Sequence, residues 1–217
     1  MSASMKVRWI RQGDAQYPTP LVKRMGGAAP VAIAAAGDMN ILRRPRIGLI
    51  CSVQCPGSIV IKTFDTIRAL RDAGVTMIGG FHSPMERECL DLLLRGPQAV
   101  VLCPARSLFR LRIGQEARKA LAEGRLLILS VFGDEVRRTT STHAMERNDL
   151  VAALGEAVLV PYAVPAGKTW ATVCRALERG QKVFALDDEA NTDLFACGVR
   201  VCRSNDLDDL ISLIGKS

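Results

Sequence analysis

Several short segments of this 217-residue chain bring together the residue types that hold phosphate. Gly167-Lys168-Thr169 leads from a turn-forming stretch, 161–166, into a helical pattern. Free amides at a helix start attract anions, and a lysine beside them neutralises phosphate. The end of a Walker A motif is similar, but its first glycine is here Tyr162, and no acid follows a strand where magnesium would be held. Gly167, Lys168 and Thr169 are therefore expected to contact phosphate without hydrolysing it. A second segment is Gly79-Gly80-Phe81-His82-Ser83, where paired glycines allow close backbone approach. Ser83-Pro84-Met85-Glu86 follows with a capping serine, proline at the first helical position and glutamate at the third. A phosphate at Gly80, His82 and Ser83 and a plain connecting turn are both open readings. Arg147-Asn148 is placed near the start of a predicted helix, where the pair can hold an anion or brace neighbouring loops. The stretch 52–58, with Ser52 and Gly57, is small and turn-forming. It has one glycine where a dinucleotide fingerprint has three, so no NAD site is expected.

Catalytic and metal chemistry find less support. His82 and His143 each stand without a Ser or Cys at motif spacing, and no Gly-x-Ser-x-Gly elbow is present. No catalytic residue and no cofactor are assigned. The seven cysteines are an odd number, several inside apolar runs, and lack paired zinc-ligand spacing, so no metal is expected and a reducing, cytoplasmic compartment fits. No apolar run approaches the ~18 residues of a membrane span. The net charge of +7 is uneven. Residues 1–50 hold eight Lys and Arg against two acids, a local +6, and residues 101–150 hold nine against six, a local +3. Residues 151–217 hold seven against nine, a local −2. The basic excess, within 6–46 and 106–138, is the footprint of a polyanion binder, although such surfaces also occur in proteins that never meet nucleic acid.

The elements that must position these residues follow one another regularly. Brief, almost wholly apolar runs at 47–51, 75–79, 99–103, 126–130, 157–160 and 183–186 predict strands of a sheet covered on both faces. Helical patterns separate them, and Gly74, Gly96, Gly124, Gly180 and Gly198 follow those patterns as expected left-handed caps. One more strand and a helix from about Ser204 close the chain. Parallel neighbours need crossovers, and these are helix-sized. The expected fold is a doubly wound α/β domain with a mostly parallel sheet over 46–217, carrying a short N-terminal extension, 1–45, packed on the sheet. Loops after parallel strands share one edge, so Gly80, Ser83, Arg147, Gly167 and Lys168 are expected to gather there.

In chain order, Gln16-Tyr17-Pro18, Gly37-Asp38, Arg46-Ile47-Gly48-Leu49-Ile50-Cys51-Ser52, Gly79-Gly80-Phe81, Glu146-Arg147-Asn148-Asp149-Leu150, Ala166-Gly167-Lys168-Thr169 and Gly180-Gln181-Lys182-Val183 follow one another. This series resembles the DprA (Smf) DNA-processing family, with its extended Rossmann-like fold, over about 16–200. The resemblance implies single-stranded DNA held along a basic groove at the carboxyl ends of the strands, its delivery to a RecA-type recombinase during transformation or repair, and a homodimer. The chain departs from the family pattern in places. The family's Gly-Ser-Arg is here Cys51-Ser52-Val53, its Arg-Asn-Arg is Arg147-Asn148-Asp149, and its Ser-Gly-Ser is Ala166-Gly167-Lys168. No winged-helix segment is expected after the α/β domain. The reading is a non-catalytic DprA-like protein that binds single-stranded DNA. The alternatives are a nucleotide sensor or nucleotide hydrolase of the same superfamily, and a scaffold that has lost its ligand. A polymer needs a basic track, whereas a mononucleotide needs one closed pocket with a placed carboxylate.

Overall fold

The computed structural model describes residues 5–204 and 206–214. Its sheet begins with two antiparallel strands, β1 (Arg8–Arg11) and β2 (Ala32–Ala36). The predicted strands follow within two residues of their expected ends: β3 (Arg46–Leu49), β4 (Thr76–Gly79), β5 (Val100–Leu102), β6 (Leu126–Ser130), β7 (Ala157–Val160) and β8 (Lys182–Leu186). The last strand is β9 (Arg200–Cys202). In space the order is β1-β2-β6-β5-β4-β3-β7-β8-β9, with every pair from β6 to β9 parallel. From β3 the chain winds outward through β4, β5 and β6, then returns to the other side of β3 with β7. The reversal opens a crevice beyond the carboxyl ends of β3 and β7, where ligands of such sheets bind.

Within segment 1–45 the outcome differs from an extension laid over the sheet, since β1 and β2 continue the sheet itself. Residues Ile33 to Ala36 are all buried, and their peptide groups must find partners away from water, which β2 achieves by pairing with β6.

Helices cover both faces. One carries α1 (Thr19–Met25), α5 (Ser141–Leu154), α6 (Lys168–Glu178) and α7 (Thr192–Ala196), which bury Leu21, Leu150, Val173 and Leu194. The other carries α2 (Gly57–Asp72), α3 (Pro84–Leu94), α4 (Gln115–Ala122) and α8 (Asp208–Ile214), which bury Ile67, Leu93, Ala120 and Leu210. The closing helix thus begins four residues later than its sequence suggests. Gly74, Gly124, Gly180 and Gly198 have positive φ, as expected of left-handed caps. Gly96 does not; α3 is capped by Arg95, and Gly96 instead leaves room for the side chains of Gln98 and Arg71. Helix α5 also starts earlier than expected, because Thr140 accepts the His143 N–H and caps it. Glu146, Arg147, Asn148 and Asp149 consequently lie in its interior turns, not its first.

Candidate nucleic-acid interface

The position of α5 decides the centre of the site. Gly48 on β3 lets the helix come so close that a Cβ there would stand 3.0 Å from the Val151 carbonyl oxygen. That approach carries Arg147 over the end of β4, where a Cβ on Gly80 would overlap its guanidinium. Arg147 is only 4% exposed. Its Nη1 donates weakly to the Cys103 carbonyl at 3.5 Å, and its Nε has no partner. Burial pulls the guanidinium below its ordinary pKa, and the negative charge of Glu86 opposes that pull. Arg147 therefore packs against two loops, those following β4 and β5, near the Glu86 carboxylate of α3, and braces them from within.

The capping box predicted at Ser83 is present, with Ser83 Oγ accepting the Glu86 N–H at 3.2 Å. Glu86 Oε2 accepts the N–H groups of both His82 and Ser83 at 3.0 Å. These are the amides expected to face a phosphate, so at this loop the chain's own carboxylate occupies the anion position. The His82 side chain is exposed and that of Ser83 is buried.

Across the crevice, Ser52 joins the two loops that flank it. Its N–H donates to the Tyr162 carbonyl at 3.0 Å, and its Oγ accepts the Val164 N–H at 3.0 Å. Gly167 begins α6 with no side-chain cap, leaving its first amides to an incoming anion. Lys168 is exposed beside them, while Thr169 is buried. Gly57 is exposed at the start of α2, which also lacks a side-chain cap, and Asn148 is half-buried. Asp149 faces α6, where it pairs with Arg175 at 3.0 Å and Arg179 at 3.7 Å. In the loop after β3 the half-buried Cys55 thiol donates to Met85 Sδ at 3.8 Å, and interaction with the neighbouring Cys51 lowers its pKa to about 7.

A cluster of arginines lies further along the same edge, beyond β4. Arg106, Arg110 and Arg112 occupy the loop after β5, and Arg137 and Arg138 the loop after β6. Four of the five are exposed, Arg106 is half-buried, and none has a salt bridge among the described residues. From β7 to β6 is four strand spacings, about 19 Å at ~4.8 Å each. Sequence reasoning located these arginines only as the basic region 106–138 and assigned none of them a role. A cavity of about 440 Å³ beside the crevice is lined by Val53, Cys55, Val60, Phe64, Pro84 and Met85, with Gln54 and Glu88, and contains no cation.

The model of the DNA recombination-mediator protein A family matches residues 8–205. Among solved structures, DNA processing protein A (DprA) from Streptococcus pneumoniae superposes with a TM-score of 0.78 at 19% identity, covering 94% of this chain and 74% of its own. DNA processing protein A from Helicobacter pylori, described for its single-stranded DNA binding mode, gives 0.76 at 17% identity, covering 100% of this chain and 99% of its own. The molybdenum cofactor binding protein from Rippkaea orientalis is more distant, at 0.57 and 14% identity over 78% of this chain and 96% of its own. No curated protein matches the sequence. With a family model spanning nearly its whole length and the doubly wound sheet that its sequence anticipates, the chain belongs to the DNA recombination-mediator protein A family.

Proposed function

We propose that this protein binds single-stranded DNA along the carboxyl edge of its sheet and catalyses no reaction there. The observation that carries this reading is the spread of exposed cations along one sheet edge, from Lys168 after β7 to Arg110, Arg112, Arg137 and Arg138 after β5 and β6, none in a salt bridge among the described residues. A row about 19 Å long suits a chain of phosphates, which distributes its charge over several contacts. A mononucleotide would need its phosphate and base enclosed together, and the cavity beside the crevice offers mostly apolar walls, one amide and one acid, with no cation for the phosphate. A hydrolase would need a free carboxylate near the reacting centre. Of the acids near these loops, Glu86 is committed to two backbone amides and Asp149 to two arginines, while Glu88 and Glu146 are exposed to solvent. The DNA-binding Helicobacter pylori relative, similar over the full length of this chain, supports the same ligand.

Anisotropy titrations with labelled oligonucleotides of increasing length, competed with AMP, test the reading. Affinity is expected to rise with length, to ignore AMP and to fall with salt by a log–log slope of about −0.7 per neutralised phosphate. Lys168→Ala should reduce that slope by about 0.7. Equal affinity for AMP, binding indifferent to salt, or release of free base or phosphate from the ligand would overturn it.

A further inference from the structure

We propose that Phe109 is a base-stacking platform at the basic end of this edge, so that the protein holds one nucleobase there as well as the phosphates around it. The inference rests on the single-stranded DNA reading above and adds to it a contact that phosphate binding does not require. Phe109 is 42% exposed in a loop whose other large apolar residues turn inward. Leu108 is buried, and Leu111 and Ile113 pack against the core under α2, α3 and α4. Phe109 and Arg110 form the two corners of a turn closed by the Leu111 N–H and the Leu108 carbonyl at 3.1 Å.

That turn is held rigidly. Ser107 Oγ accepts the Phe109 N–H at 2.9 Å and donates to Asp134 at 3.0 Å, while the Ser107 N–H donates to the Val136 carbonyl at 2.8 Å. Ser130 Oγ adds a bond to the Arg106 carbonyl at 2.7 Å, tying the loop to β6. Exposed phenylalanine on a mobile loop would lose much of its contact energy to ordering, and here the ordering is already done. The second corner is Arg110 at φ +53°, a conformation that ordinarily goes to glycine and is unfavourable for a side chain. Strain of this kind is a pointer to function. Its result is that the Arg110 guanidinium lies over the Phe109 ring, 5.1 Å from the centroid. With the guanidinium over one face of the ring, the other ring face or the outer plane of the guanidinium can take a base, and the exposed Arg112, Arg137 and Arg138 lie on this loop and the one after β6 to take the adjoining phosphates.

Anisotropy with labelled oligo-dT and with an abasic oligonucleotide of equal length and charge isolates the base contact. Phe109→Ala should weaken oligo-dT binding by roughly 5- to 150-fold, the range for one stacked base, and leave abasic binding within a factor of about 2. The salt slope should not change, because no phosphate contact is lost. Phe109→Leu, which keeps apolar bulk, should lose affinity likewise, and Phe109→Trp should restore it with indole fluorescence quenched on binding. Unchanged oligo-dT affinity in Phe109→Ala, with wild type binding normally, overturns the platform and leaves the DNA reading standing. So does an equal loss on abasic DNA. Absence of any wild-type binding to either oligonucleotide overturns both.

Discussion

Arg147 and Lys168 carry the same charge and lie at the same sheet edge, yet their surroundings give them different work. Lys168 projects into water beside the uncapped start of α6, where an anion can reach both its amine and the helix amides. Arg147 is buried, with its guanidinium filling the space that the missing side chain of Gly80 leaves. Gly80→Ala should therefore act on stability first. The added methyl cannot coexist with the guanidinium, and overpacking of this kind costs about 1–3 kcal/mol. Urea denaturation is expected to show a lowered midpoint with an unchanged slope, and DNA affinity should fall only as far as the loop at 80–83 is displaced. A fully stable Gly80→Ala protein would mean that Arg147 is free to leave its position.

At the scale of elements, α5 and α6 are coupled by Asp149, which bridges Arg175 and Arg179. These three side chains are partly buried, and the carboxylate from α5 offsets two cations that sit one turn apart at the end of α6 and would otherwise repel each other. Asp149→Asn should cost about 1 kcal/mol, in line with ion pairs that retain some solvent. Because the bridge is electrostatic, the difference from wild type in thermal midpoint should narrow in 1 M salt, where the screening length falls to about 3 Å. A loss of stability that is insensitive to salt would instead point to packing. The relation between these helices also fixes where α5 lays Arg147 against Gly80 and where α6 presents Lys168.

For the whole molecule, the exposed cations and the core are separable. Arg137 and Arg138 make no salt bridge among the described residues and stand on a loop, whereas stability resides in the two apolar layers that sandwich the sheet. Replacing both by alanine should leave the thermal midpoint within about a degree or two, since surface substitutions away from packed features shift stability by less than about 0.5 kcal/mol. The same double variant should flatten the salt dependence of DNA binding by about 1.4 in log–log slope, two phosphates at about 0.7 each. An unchanged slope would place the DNA elsewhere on the surface.

The sequence by itself determined the alternation of strands and helices, the capping box at Ser83 and the concentration of basic residues between 106 and 138. Each of these is local: a strand shows in a short apolar run, a cap in four consecutive residues, a charge excess in a count. The family resemblance was legible for the same reason, being a series of short motifs in order. Only the tertiary structure decided that Arg147 is buried over Gly80, that Glu86 takes the amides of His82 and Ser83, and that β1 and β2 extend the sheet beyond β6. It also decided that Phe109 faces outward while Leu108 faces the core. These outcomes depend on how closely α5 approaches β3 and on which loops become neighbours when the strands pair. Such contacts join residues far apart in the chain, and their geometry is set by packing of the whole sheet, which no local pattern of residues encodes.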